Sequence, residues 1–435
     1  MTDQTVTHKN VTLAGCLSLI PGLGQFYNRQ AIKGVLFLII TGIFAYEMHV
    51  FGNQALVNLV TLGTTPRQDH SLFMLIQGSL QLLITLIFLI FYIYNIYDAR
   101  RVADFWNQGI PVNQSFKELL NNVYQNGFPY LLIIPAYVAM IFAIVFPVLV
   151  TVFTAFVNYS FLNMPPAKLL DWVGFENFNK IFFLSTFRKA FGSVLSWTFI
   201  WTLAATTLQI VVGVFTAIVA NQPFIKGKRF FGVIFLLPWA VPAFITILSF
   251  SNMFNDSVGA INTQVIPFFN RLIPFMDVGL VPWKTNPNWT KIAIIMIQGW
   301  LGFPYIYVMV TSILQSIPND LYEAAKIDGA NANRRFRDIT LPTILSVAAP
   351  VFVTQYTGNF NNFSMIYLFN DGGPGSVGGG AGSTDILISW IFKLTTGNSP
   401  QYSVAAALTI IISLIVIGVS LLVFKRSNSF EMEDI

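Results

Sequence analysis

The chain has 435 residues, of which 54% are hydrophobic and only 10% charged. A soluble domain carries about 25% charged residues, so the composition excludes a soluble globular protein and points to a chain that crosses a membrane several times. The net charge of +5 calls for no nucleic-acid partner, because the basic residues fall between apolar stretches, where they set orientation.

The chain begins with polar residues 1–12, and its single cysteine excludes an internal disulfide. Cys16 lies in Leu13-Ala14-Gly15-Cys16, which looks like a lipoprotein processing site. No apolar run of signal-peptide length precedes it, so it is read as an ordinary cysteine. The stretch 11–30 ends in Ile20-Pro21-Gly22-Leu23-Gly24-Gln25-Phe26-Tyr27-Asn28. One proline and two glycines break it too often for a span, and an interfacial or re-entrant segment is expected.

Eight candidate spans follow, at about 33–51, 72–97, 129–158, 190–220, 231–251, 290–316, 343–368 and 402–424. Each is near the roughly 20 residues that a bilayer core requires. The expected fold is an all-α integral membrane protein of about eight transmembrane helices. With the N-terminus placed inside, fifteen of the 24 Lys and Arg fall in the inner segments. The densest are Lys226-Gly227-Lys228-Arg229 and Arg334-Arg335-Phe336-Arg337. This is the sense of the positive-inside rule, and it puts both termini in the cytoplasm.

On the outer side, residues 370–384 are rich in glycine and are expected to form a flexible loop. Trp283 and Trp289 suit the interfacial aromatic belt. Two departures from carrier and enzyme chemistry are visible. No Gly-x-x-x-x-Gly-Lys-Ser/Thr occurs, so the chain is not its own P-loop ATPase. The three histidines, His8, His49 and His70, are scattered, and no metal or cofactor site is expected. Glu47, in the first span near its outer end, is read as interfacial or paired. The spans after residue 128 hold almost no ionisable groups in their middles, whereas ion-coupled carriers usually hold them there.

Uncharged polar residues are more informative. Gln298, Gly302 and Tyr305 stand at i, i+4 and i+7 in one span, with Leu301 adjacent. Gln355, Asn359 and Asn362 repeat that spacing in the next, with Gly358 beside them. Each set lies on one helical face. Gly302 and Pro304 would locally open the hydrogen bonding of the first helix. Amides and a phenol donate and accept without charge, which suits a ligand rich in hydroxyls. The same residues would serve equally to bridge helices. Three asparagines in Asn359-Phe360-Asn361-Asn362 are costly in a membrane unless each finds a partner.

Between those two spans lies Pro318-Asn319-Asp320-Leu321-Tyr322-Glu323-Ala324-Ala325-Lys326-Ile327-Asp328-Gly329-Ala330, running on to Ile339-Thr340-Leu341-Pro342. Glu323, Ala324 and Ala325 form helix well, Gly329 can turn left-handed, and Pro342 suits a first helical turn. The spacing resembles the EAA loop of ABC-importer permeases. In that family the loop is a coupling helix that docks on a separate cytoplasmic ATPase. The resemblance implies that Glu323, Ala324, Ala325, Asp328, Gly329, Leu341 and Pro342 couple the chain to such an ATPase.

The likeness extends over about 129–435. Leu236-Leu237-Pro238-Trp239-Ala240-Val241-Pro242, Gly299-Trp300-Leu301-Gly302-Phe303-Pro304-Tyr305 and Phe360-Asn361-Asn362-Phe363 are similar to the larger permease subunit of maltose/maltodextrin importers, of the type found in Gram-positive bacteria. That resemblance implies a type I ABC permease core at 129–435, preceded by an N-terminal segment and two spans at 1–128. It implies Gln298, Leu301, Gly302, Tyr305, Gln355, Gly358, Asn359 and Asn362 as sugar-site residues. Implied partners are a second, smaller permease, a cytoplasmic ATPase dimer, an extracellular solute-binding protein and a maltodextrin substrate. ATP and Mg²⁺ would be bound by the ATPase, with no cofactor on this chain, in a bacterial plasma membrane. Where enterobacterial members carry a bulky aromatic, this chain has Gly358. Two other classes remain: an ion-coupled secondary sugar transporter, and a membrane enzyme using Asp371 and Asp385 as its paired carboxylates.

Overall fold

The computed structural model describes residues 8–110, 112, 115–222, 224–273, 275 and 277–426. They form two compact units, Met1–Gly174 and Phe175–Ile435. The boundary expected at 128 lies at the start of the helix Phe128–Met140, within the first unit. Among the described residues seven helices are long and apolar enough to cross a membrane, or eight with one bent pair counted as a span.

In the first unit, α1 (Val11–Leu17) starts where the Asn10 side chain accepts from Leu13 N at 3.0 Å. Gly22, at φ 95°, turns the chain into α2 (Leu23–Tyr27). Then α3 (Ala31–Glu47) continues through a π-helical turn, Met48–Gly52, into α4 (Asn53–Thr61). They are followed by α5 (Ser71–Asn107), α6 (Phe116–Asn126), α7 (Phe128–Met140) and α8 (Phe146–Ala155).

The segment 11–30 therefore does not span. It is fastened to one end of α5. Asn95 Nδ2 donates to Ser18 O at 2.7 Å and Asn95 Oδ1 accepts from Gly22 N at 3.2 Å. Trp106 Nε1 donates to Asn28 O at 3.1 Å. Asp98 receives Gln25 Nε2 at 3.1 Å and Lys33 Nζ at 2.5 Å. Glu47 stands mid-helix and not near the helix end, because its helix runs on to Thr61. Its carboxyl accepts from Gln81 Nε2 at 3.0 Å, so it is paired.

The second unit opens with α9 (Glu176–Phe183) and α10 (Ser185–Ala220). Next, α11 (Lys228–Ala240) and α12 (Ala243–Met253) occupy the expected span at 231–251, but they meet at 87°. Pro242 has no N–H to offer the helix, and it pushes the preceding residue out of helical space. Val241 accordingly sits at φ −112°, ψ 135°. After α13 (Ile266–Leu272) comes α14 (Pro287–Ser316), which runs unbroken through Gly302 and a buried Pro304. Pro304 has no N–H, so the Trp300 carbonyl lacks its helical donor, but the helix is not interrupted. The chain continues with α15 (Asn319–Ile327), α16 (Ala332–Arg335), α17 (Leu341–Phe360) and α18 (Phe363–Asn370). A two-stranded ribbon, β1 (Ser376–Gly378) and β2 (Ala381–Gly382), precedes α19 (Leu387–Thr396) and α20 (Tyr402–Arg426).

The core of this unit is the pairing of α10 with α14. A Cβ on Gly213 would meet Ile306 Cβ at 2.5 Å, and one on Gly299 would meet the Leu208 side chain at 2.7 Å. Small residues at such crossings let membrane helices approach closely. Trp197, Trp201, Ile294, Met365 and Phe369 fill the core at the α18 end.

The glycine-rich segment is folded, not a free loop. The buried Asp385 carboxylate accepts from Gly382 N at 2.7 Å, Ser389 Oγ at 2.7 Å and Lys393 Nζ at 2.8 Å. Trp197 and Trp390 donate their indole N–H to Thr384 O and Gly379 O at 3.0 and 2.7 Å. Gly372 shows why glycine is needed: its φ is +70°, and a Cβ there would collide with the Asp385 carboxylate.

Candidate functional site

The two amide stripes meet, with α10 as the third wall. Asn359 is their hub and is 4% exposed. Its Oδ1 accepts from Gln298 Nε2 at 2.9 Å and from Asn362 Nδ2 at 3.4 Å. Its Nδ2 donates to Thr206 Oγ1 at 2.9 Å and to Gln209 Oε1 at 3.3 Å. An asparagine amide has two donor hydrogens and two acceptor lone pairs, so every one is used. Gln209 Nε2 then donates to Gln355 Oε1 at 3.0 Å. Gly302 faces the same helix, since a Cβ on it would strike the Gln209 side chain.

The remaining site residues are more open. Gly358 is exposed, with no atom within 4 Å of the place a Cβ would take. Tyr305 is 37% exposed, and its ring lies 5.9 Å from that of Trp239 on α11. Leu301, Gln355 and Asn362 are half-buried. Asn362 also caps α18, accepting from Met365 N at 3.3 Å. The arrangement is a saturated amide layer facing α10, with Tyr305, Gln355 and Gly358 on its accessible edge.

Thr206, Gln209 and Trp239 were not picked out from the sequence as site residues. The signal was present: Thr206-Thr207-Leu208-Gln209 interrupts an otherwise apolar span, and buried polar side chains in a bilayer need partners.

At the other end of α14 and α17 lies the polar loop. Nothing in α15 is buried, and Leu321 and Ile327 are 51% and 87% exposed. Glu323, Ala324 and Asp328 are exposed, and Ala325 is half-buried. The helix ends in a Schellman turn: Ala330 N donates to Ala325 O at 2.8 Å and Gly329 N to Lys326 O at 3.0 Å. That turn needs a left-handed residue, and Gly329 sits at φ +80°. Tyr322 OH lies 2.8 Å from Thr340 Oγ1, which ties α15 to the start of α17, where Leu341 is half-buried and Pro342 exposed. That helix also carries Gln355, Gly358 and Asn359.

The carboxylates Asp371 and Asp385 do not form an acid–base pair. Lys393 Nζ lies between them, 2.8 Å from Asp385 and 3.7 Å from Asp371. Burial pushes the Asp385 carboxyl above its ordinary range, against the opposing pull of Lys393, Gly382 N–H and Ser389. Among the described residues no cluster of three or more His, Cys, Asp or Glu could hold a metal ion.

Residues 209–428 match the family described as binding-protein-dependent transport system inner membrane component. The chain is 66% identical over 422 residues, 97% of each chain, to the maltodextrin transport system permease protein MalC of Streptococcus pneumoniae. The chain belongs to the binding-protein-dependent inner membrane permeases. It is also 47% identical over 429 residues to the galactooligosaccharides transport system permease protein GanP of Bacillus subtilis, covering 98% of this chain and 99% of that one. The fold is shared with a permease in the crystal structure of a bacterial ABC transporter involved in the import of the acidic polysaccharide alginate. There the TM-score is 0.57 at 20% identity, covering 71% of this chain and 98% of that one. The chain is therefore a multi-pass permease subunit of an ABC importer, a transport component and not an enzyme. Family membership sets aside the ion-coupled carrier.

Proposed function

We propose that the chain is the larger permease subunit of a maltodextrin importer. The observation that carries this reading is the 66% identity along nearly the full length to a maltodextrin permease, against 47% to a galactooligosaccharide permease of equal coverage. The sugar would lie on the accessible edge of the amide layer, against Tyr305, Leu301, Gln355, Gly358 and Asn362. Gln298, Gly302 and Asn359 would position that edge from behind. Uncharged donors and acceptors around an aromatic ring fit a neutral polyhydroxylated chain.

A second, smaller permease would complete the path, and a solute-binding protein would deliver the sugar outside. A cytoplasmic ATPase dimer would hold ATP and Mg²⁺, with no cofactor on this chain. The exposed apolar and acidic face of α15 would dock on that ATPase through Glu323, Ala324 and Ala325. Closure on ATP would move α15 and α17 as one body, with both termini on the cytoplasmic side. Co-purification from detergent-solubilised native membranes tests the assembly. An ATPase and a second permease should accompany the wild type and be lost with Glu323→Lys. A chain recovered alone in both cases would refute the assembly.

A further inference from the structure

The helix α18 connects two places. At its start Asn362 joins the amide layer, and at its far end stand Tyr367 and Asp371. Eight residues of helix span about 12 Å, which is within the length of a short linear oligosaccharide. Beside that far end opens a cavity of about 620 Å³. Phe187, Tyr367, Phe392, Asp371, Asn398 and Gln401 are among its lining residues. The volume lies in the range of small-molecule sites, and mixed apolar and polar walls are typical of them.

The walls are held firmly. The Tyr367 ring stacks on Phe363 with centroids 4.9 Å apart and planes at 18°, and meets Phe392 edge-on at 5.2 Å. It nevertheless leaves 37% of its surface open. In the cavity wall, Gln401 N donates to Leu394 O at 2.7 Å and Gly379 O accepts from Trp390 Nε1 at 2.7 Å. Asp371 adopts the left-handed conformation at φ 44°, unusual for a residue other than glycine. Lys393 Nζ donates to the Asp371 carbonyl oxygen and to the buried Asp385 carboxylate. The Asp371 carboxylate, 3.7 Å from the same ammonium, is 69% exposed, so it stands at the rim with room to accept from a further donor.

A hexose ring presents an apolar C–H face and a rim of hydroxyls. A rigid aromatic face beside an exposed carboxylate is complementary to both. We infer that this cavity is an outer subsite for one or two rings of a linear oligosaccharide, with Tyr367 as the ring platform and Asp371 as the hydroxyl acceptor. The inference rests on the maltodextrin reading. It assigns the far end of α18 to the part of a long substrate that extends beyond the amide layer, so short sugars do not need it.

The test is equilibrium binding of maltoheptaose and of maltose to the assembled importer in nanodiscs without binding protein, then titration of the same nanodiscs with the binding protein, then uptake into proteoliposomes supplied with binding protein and ATP. Asp371→Asn keeps a residue tolerant of the left-handed conformation, and Tyr367→Leu removes the ring. Both variants should weaken maltoheptaose binding at least threefold and leave maltose binding within twofold. Equal binding of both sugars by wild type and variants would overturn the subsite. So would variants that lose affinity for the binding protein and not for the sugar, which would make this surface a protein contact. A wild type that binds and takes up neither sugar would refute the maltodextrin reading itself, and this site's ligand with it.

Discussion

Asn359→Leu is the sharpest test of the amide layer. Leucine keeps the branched four-atom outline of the asparagine side chain, with bulkier methyl groups in place of the amide oxygen and nitrogen, but four side-chain hydrogen bonds are lost: those from Gln298 and Asn362, and those to Thr206 and Gln209. Interhelical bonds in membranes average about 0.6 kcal/mol, which gives about 2.4 kcal/mol for the four. Thr206 and Gln209 are buried at 0% and 1% exposure. Leaving buried groups unpaired costs about 1–3 kcal/mol each, which raises the expected loss to about 3–4 kcal/mol. In a unit of this size that corresponds to a fall in Tm of roughly 6–16 °C. The assay is thermal unfolding of the assembled complex in detergent, without sugar, so that ligand contacts do not enter. Gln355→Leu, which loses one bond, should shift Tm by only about 1–2 °C on the same scale. Equal shifts in the two variants, or none in Asn359→Leu, would show that these helices are not joined through Asn359.

Other substitutions separate coupling, size selection and the folded glycine-rich segment. Gly329→Pro removes the N–H bonded to Lys326 O and cannot reach φ +80°; sugar-stimulated ATP hydrolysis should vanish while insertion persists, and normal stimulation would remove the coupling role. Gly329→Ala keeps the N–H and bears only the left-handed strain of about 1–2 kcal/mol, so stimulation should be reduced and not abolished. Gly358→Phe enters open space; uptake of maltotetraose and longer chains should fall more than uptake of maltose, and unchanged or improved long-chain uptake would contradict the placement. Lys393→Met strands the buried Asp385 carboxylate and should destabilise by about 3–5 kcal/mol. Without its cation the folded-state pKa of Asp385 stays above the unfolded value, so folding is favoured at acid pH and that stability is lost as pH rises through the folded value. The Tm deficit of this variant, relative to wild type, should therefore shrink as pH is lowered towards the ordinary aspartate range.

Much of this was legible in the sequence. Hydropathy located the spans because a bilayer demands long apolar runs. The polar stretch around Glu323 and Gly329 announced a capped loop helix because its turn needs glycine. What periodicity could not supply was the partner across each face. The spacing of Gln298 and Asn359 places them on helical stripes, but only the packing of α10 shows that Thr206 and Gln209 accept both donor hydrogens of Asn359. Gly302 reads in sequence as a member of the amide stripe, and the packing shows that its missing side chain makes room for Gln209. Pro242 and Pro304 illustrate the same limit: one breaks its span and the other is absorbed, and the difference lies in the surrounding packing. The segment 370–384 was misjudged because glycine signals freedom in an isolated chain, whereas here it supplies the positive φ values that let a buried Asp385 gather its donors.

The most direct measurement is uptake of labelled maltodextrin into proteoliposomes holding this chain with its proposed smaller permease and ATPase, supplied with binding protein outside and ATP inside. The account predicts accumulation that needs ATP and every component, and that is indifferent to the membrane potential. Accumulation without ATP, driven by the potential in liposomes holding this chain alone, would contradict it.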